Sequence, residues 1–186
     1  MPPGAALRAW PKLQEAERRW IYFEWFTHGV AKEGTGYTTL LDDTASAYLM
    51  TFEAVLQMVG NQIGKSGDRL TAWLKTLPPD VYDLTCRGLR TLRNIEAHVR
   101  PGNLERVGNQ LGASLFASGS DPGLTLPWCF TALTPIELPR TRHLTVAELP
   151  DWRELVESNL AATVMRDGVQ RLYAIGQLAE TRLTGP

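Results

Sequence analysis

The sequence predicts an all-α protein, an antiparallel bundle of four or five main helices with an irregular insertion. Three observations carry that expectation. Apolar residues recur at helical spacing over most of the chain. Pro and Gly cluster between those runs rather than inside them. The chain has 186 residues, 44% hydrophobic and 21% charged, which suits one packed core rather than a disordered chain. No internal repeat or low-complexity linker divides it, so residues 1–186 read as a single domain with a decorated connection around 118–150.

Taken in order, residues 1–9 form a loose arm, and Pro11 suits the first turn of a helix, where its missing N–H is harmless. Leu13, Ala16, Trp20 and Phe23 share a helical face, with Trp25 and Phe26 widening it, so residues 13–26 read as a core helix. Residues 29–40, with Gly29, Gly34 and Gly36, read as the loop that closes it. Asp42 or Asp43 can cap a second helix whose apolar positions run Ala45, Tyr48, Leu49, Phe52, Leu56, Val59 and Ile63. Glu53 lies beside that face and is expected to be solvated, with an Arg on a neighbouring helix as its alternative partner. A short helix is expected over 68–77, stopped by Pro78 and Pro79. Asp80 can cap the next helix, expected over 81–99 and ended by Pro101 and Gly102. Asn103 can open another over 104–116. Residues 118–127 are turn-rich, and 128–138 read either as an irregular apolar loop or as a short strand pair. The last long helix follows Pro150, from Leu155 to Leu178, with Gly168 and Gly176 as places for a bend.

Composition narrows the function. Lys and Arg total 19 against 20 Asp and Glu, a net charge of -1, which argues against coating nucleic acid through bulk charge but leaves room for a local basic cleft. The cations are mostly Arg, suited to bidentate contact with phosphate or carboxylate. Two Cys, Cys86 and Cys129, have neither the number nor the spacing for a zinc cluster, and a reduced intracellular protein is the simpler expectation. No signal-like or membrane-spanning stretch is evident, so a cytoplasmic chain is expected. Gly60, Gly64, Lys65 and Ser66 lack P-loop spacing. No cofactor or metal is expected.

Residues 85–106 concentrate the reactive side chains. On an ideal helix Val81, Leu84, Leu92, Ile95 and Val99 fall on the core side, while Arg87, Arg90, Asn94 and His98 fall opposite, with Arg93 at the edge. Arg93 and His98 stand roughly 140° apart around the axis, so both can border one groove. Arg offers phosphate a rigid donor fork, His exchanges protons near neutral pH, and Asn orients either. These are the parts needed to cleave RNA without a metal: His98 handles the 2′-OH or leaving-group proton and Arg93 stabilises the phosphoryl charge. Arg87, Arg90 and Arg100 are the candidate phosphate contacts. One His does not easily make both proton transfers, so a two-fold partner is expected to complete the cleft. A solvated basic face, with Arg93 paired to Glu96 or Glu105, is the alternative.

Arg93-Asn94-Ile95-Glu96-Ala97-His98 resembles the signature of HEPN-domain proteins. The resemblance implies an all-α bundle, frequent homodimerisation and often metal-independent endoribonuclease activity on single-stranded RNA. It matches the family's catalytic Arg and His to Arg93 and His98, and its polar residue to Asn94. It also implies a defence or toxin–antitoxin setting, with an antitoxin or defence-complex protein as partner, and a non-catalytic binding module as the alternative. Toxin-like members carry a Tyr two residues after the His; Arg100 stands there in this chain, so the resemblance does not extend to that subgroup. Elsewhere, His28 and His143 lack companion ligands, Cys86 and Cys129 read as packing residues, and Arg140, Arg142 and His143 read as an exposed basic loop.

Overall fold

Leu13, Ala16 and Phe23, three and seven residues apart, fall on one helical face and are fully buried, which makes α1 (Trp10–Gly29) a core helix. Tyr22 and Trp25 of the same helix are more than half exposed, so the apolar surface is wider than the part that packs. The computed structural model describes residues 7–29, 35–98, 104–106, 128–136, 138 and 143–185; residues 28–29, 35–39, 96–98 and 105–106 are described in backbone only. The second helix, α2 (Thr35–Gln62), starts earlier than the expected Asp42 or Asp43 cap. Buried Leu41 extends the stripe of Ala45, Tyr48, Leu49 and Phe52 upstream, so both aspartates lie inside the helix and the expected 29–40 loop is helical from Thr35. Past its end, the Lys65 N–H donates to the Gly60 carbonyl at 2.7 Å, and Gly64 takes φ +71°, a left-handed turn open to glycine.

The third helix, α3 (Asp68–Leu74), buries Leu70, Trp73 and Leu74 and relaxes into turns before Pro78. The reactive segment forms α4 (Leu84–His98). Its cap is Asp83 rather than the expected Asp80: Asp83 Oδ1 accepts the Cys86 N–H at 3.1 Å, while Asp80 is exposed in the preceding turn. Val81 and Tyr82 are therefore outside the helix, their N–H groups held by the Pro78 carbonyl.

The expected helix over 104–116 is overturned at its start. Leu104–Arg106 is a strand, β1, paired antiparallel with β2 (Trp128–Phe130), Leu104 opposite Phe130. Cys129 and Phe130 are buried, so pairing satisfies a backbone that the core would otherwise leave without partners. The apolar 128–138 segment thus opens as a strand whose partner comes from far upstream. The Asn103 cap and residues 107–127 lie outside the described residues.

A 3-10 turn, Val146–Glu148, leads into α5 (Leu149–Ser158), with Pro150 in its first turn. The final helix is α6 (Ala161–Thr184). The expected single last helix is therefore two, broken at Asn159 and Leu160, which adopt extended backbone angles. Asn159 Nδ2 donates to the Leu155 carbonyl at 2.9 Å and satisfies an end carbonyl of α5. Gly168 and Gly176, expected to permit a bend, sit inside continuous helix. They are buried where α6 approaches Leu89, Tyr48 and Trp10.

The described residues thus form a bundle of six α-helices with a two-stranded ladder at its side. The long α2 is central, packed by α1, α4 and α6, and α6 also packs on α1 and α4. One close approach fixes α4 against α5, and one buried hydrogen bond ties α2 to α6. The ring of Trp152 of α5, fully buried, packs closely against Gly88, and Tyr48 of α2 donates to the Met165 carbonyl of α6 at 2.7 Å. No described helix is long and apolar enough to cross a membrane.

Candidate functional site on the fourth helix

The candidate side chains of α4 divide sharply by environment. Cys86, Leu89, Leu92 and Ile95 are fully buried, and Arg90 is only 2% exposed. Arg90 therefore points into the core, not onto the outer polar face where ideal helical spacing puts it. There it meets Glu53 of α2. Arg90 Nε donates to Glu53 Oε2 at 2.8 Å, Nη2 to Glu53 Oε1 at 3.1 Å and Nη1 to the Tyr82 hydroxyl at 3.0 Å. Gln57 Nε2 adds a bond to Glu53 Oε1 at 2.7 Å. Burial pushes the Glu53 carboxyl up, but the Arg90 guanidinium and Gln57 outweigh it and hold it below the usual range. The expected solvated Glu53 is thus a buried, fork-paired carboxylate.

His143 borders the same cluster. Its ring is half-buried, with Nδ1 enclosed and unpartnered. Burial, reinforced by the Arg90 charge and by Lys75 and opposed by Glu53, holds its pKa down to about 4. His143 is therefore not the exposed basic residue that its neighbours in sequence suggest; Arg140 and Arg142 lie outside the described residues. Burial likewise pushes the Cys86 thiol up, and the two cysteines are buried and not disulfide-bonded, which suits packing rather than nucleophilic chemistry.

Arg87 is committed as well. Its Nη1 pairs with Glu148, and its Nε approaches the Asp83 carbonyl at 3.4 Å. Glu148 also accepts the Thr145 N–H and hydroxyl, each at 2.9 Å, so the pair ties α4 to the capping box before α5. At the base of the helix, Asp83 Oδ2 accepts Arg171 Nε of α6 at 3.0 Å.

Arg93 differs from both. It is half-buried, its Nη1 donates to Asn94 Oδ1 at 3.0 Å, and its Nε is enclosed without an acceptor. Among the described residues it has no carboxylate partner. Asn94 is half-buried beside it. His98 lies on the same helix and ends its described part, five residues or roughly 7.5 Å along the axis from Arg93. The side chains of His98, Glu96 and Glu105 and all of Arg100 lie outside the described residues, as does the His28 side chain. No group of three His, Cys, Asp or Glu among the described residues could hold a metal ion.

No protein family, curated protein or solved structure matches the chain. The HEPN resemblance therefore rests on the Arg93–His98 stretch and the helical fold around it.

Sequence reasoning favoured a solvated Glu53 over its pairing with an Arg of a neighbouring helix and did not single out Arg90 and Tyr82 as its companions, though a signal was present. Glu53 falls between Leu49 and Leu56 on the apolar stripe of α2, and Arg90 adjoins Leu89 and follows Cys86 by one turn on α4. Opposite charges on two apolar stripes imply a buried pair when the helices adjoin.

Proposed function

We propose that the chain is a metal-independent endoribonuclease of HEPN-like type, acting as a homodimer on single-stranded RNA in defence or toxin–antitoxin biology. The observation that carries it is the state of Arg93. Arg87 and Arg90 are each engaged by a glutamate, whereas Arg93 has no carboxylate among the described residues and retains an enclosed, unpartnered Nε–H beside Asn94. An enclosed cationic donor without an acceptor suits an anion such as a phosphodiester. In the proposed reaction the 2′-oxygen attacks phosphorus, the bond to the 5′-oxygen breaks, and a 2′,3′-cyclic phosphate and a 5′-hydroxyl result. His98 takes the 2′-OH proton or supplies one to the 5′-oxygen, its counterpart in the second protomer makes the other transfer, and Arg93 neutralises the charge on phosphorus's oxygens. Asn94 holds the Arg93 fork. Arg87 and Arg90 then act as framework rather than as phosphate contacts, and Arg100 remains the proposed basic contact beyond His98.

The test is cleavage of single-stranded RNA in EDTA by purified protein. Cyclic-phosphate ends are expected, with loss of cutting in folded Arg93→Ala and His98→Ala. Undiminished cutting by both variants removes the mechanism. The same commitment of Arg87 and Arg90 favours a second reading, a non-catalytic HEPN-like RNA- or protein-binding module, since it leaves fewer cations for an RNA path. RNA binding without cleavage, insensitive to His98→Ala, selects that reading.

A further inference from the structure

We propose that the groove between residues 133–135 and the outer face of α5 docks an extended segment of another protein, one that bears an aliphatic side chain and, about four residues away, basic side chains. The groove encloses about 450 Å³, enough for one or two side chains. Its floor and one end are apolar: Leu133, Pro135, Val146, Leu149 and Pro150. Val146 is 61% exposed and Ile136, beside Pro135, is 89% exposed, so apolar surface at this place gains by being covered. The prolines stiffen the walls, which lowers the entropy lost on binding.

The other end is acidic. Glu154 and Glu157 line it together with Arg153, all exposed. Neither glutamate is paired with a cation among the described residues, and among the described lining residues two acids against one base leave a net negative rim. Val146, Leu149, Pro150, Arg153, Glu154 and Glu157 follow one another at helical spacing, so the apolar and acidic ends form one continuous stripe. Their midpoints are separated by roughly 11 Å of helix, which an extended chain spans in about three to four residues. A negative rim disfavours RNA and anionic membrane surfaces. A second copy docked face to face would set the acidic end against either the acidic or the apolar end of its partner, and neither supplies the positive charge the rim lacks. A cationic, aliphatic-anchored protein segment is the occupant whose charge and shape agree with the groove, and this holds whether or not α4 cuts RNA.

Fluorescence anisotropy with the full-length protein tests it. The probes are labelled Gly/Ser peptides with one Leu and a Lys-Arg pair set about two, four or eight residues apart. The intermediate spacing is expected to bind tightest. Reversing both rim charges, Glu154→Lys with Glu157→Lys, is expected to weaken it roughly tenfold and to raise affinity for a peptide with Glu-Glu in place of Lys-Arg. Val146→Asp is expected to weaken both. These positions are exposed, and circular dichroism checks that the variants fold. Absence of binding by every peptide at millimolar concentration overturns the proposal. So does affinity indifferent to charge reversal, or a concentration-dependent dimer abolished by Val146→Asp, which would make the face a contact between copies.

Discussion

Arg90→Met isolates the contribution of the buried ion pair between α2 and α4. In the native protein Glu53 is paired through both oxygens, and the two side chains are 3% and 11% exposed. Removing one partner of such a pair leaves a desolvated charge and costs about 3–5 kcal/mol. That is a fifth or more of the roughly 5–15 kcal/mol that holds a domain together. Among the described residues Gln57 alone remains to Glu53, and the Tyr82 hydroxyl loses its Arg90 donor. The pH dependence should invert. In the native protein the Glu53 pKa is depressed, so its contribution is present above the unfolded value near 4.5 and is lost as pH falls through the folded value. In Arg90→Met the carboxyl is desolvated without its cation and rises, so the penalty is largest at neutral pH and shrinks on acidification. Glu53→Met with Arg90→Met removes both charges and should recover most of the loss, since apolar replacement of a buried pair is often neutral or better. Urea denaturation of the single and double variants at pH 7 and near pH 4.5 measures all of this. A single-variant loss below about 1 kcal/mol, or a double variant no better than the single, refutes the buried-pair account. The double variant also bears on function. If Arg90 is framework, its RNA binding matches the native protein once folding is equal.

Three further outcomes follow from the packing. His143 titrates near 4 in the folded chain against an ordinary 6.5, so the unfolded state binds the extra proton between those values. Stability should therefore fall by about 3 kcal/mol as pH drops through that window, and His143→Gln should remove that slope in pH-dependent melts. Gly88→Ala gains roughly 1 kcal/mol of helix propensity but drives a methyl into the ring of immobile Trp152. Overpacking should win by about 2 kcal/mol or more, with partial rescue by Trp152→Leu in thermal melts. Cys86 and Cys129 are not disulfide-bonded and are 0% and 2% exposed, so thiol reagents should label both only as the protein unfolds, with denaturant dependence matching global unfolding.

Where one period governed a stretch, its fate was legible from sequence. The stripe Ala45, Tyr48, Phe52, Leu56, Val59 required helix and burial together, and α2 contains all of them. Boundaries were less so, because several acids could cap: Asp83 beat Asp80 because it can also receive Arg171 from α6. Leu104–Arg106 defeated a periodic expectation because three residues carry almost no period, and their partner strand lies more than twenty residues away. At the candidate site, the spacing of Arg93, Asn94 and His98 on one helix was readable in advance, and α4 includes all three.

The sequence by itself determined the helical class, the principal helices and the placing of Arg93, Asn94 and His98 on one of them, since these follow from local periodicity and from residues near in the chain. Only the tertiary structure decided which cations are already engaged. Among the described residues Arg87 and Arg90 differ from Arg93 not in residue type but in their neighbours: Glu148, 61 residues away, and Glu53, 37 residues away, claim two of the three guanidinium groups. Charge pairing inside a low-dielectric core depends on which helices adjoin, and no local pattern along the chain encodes that adjacency.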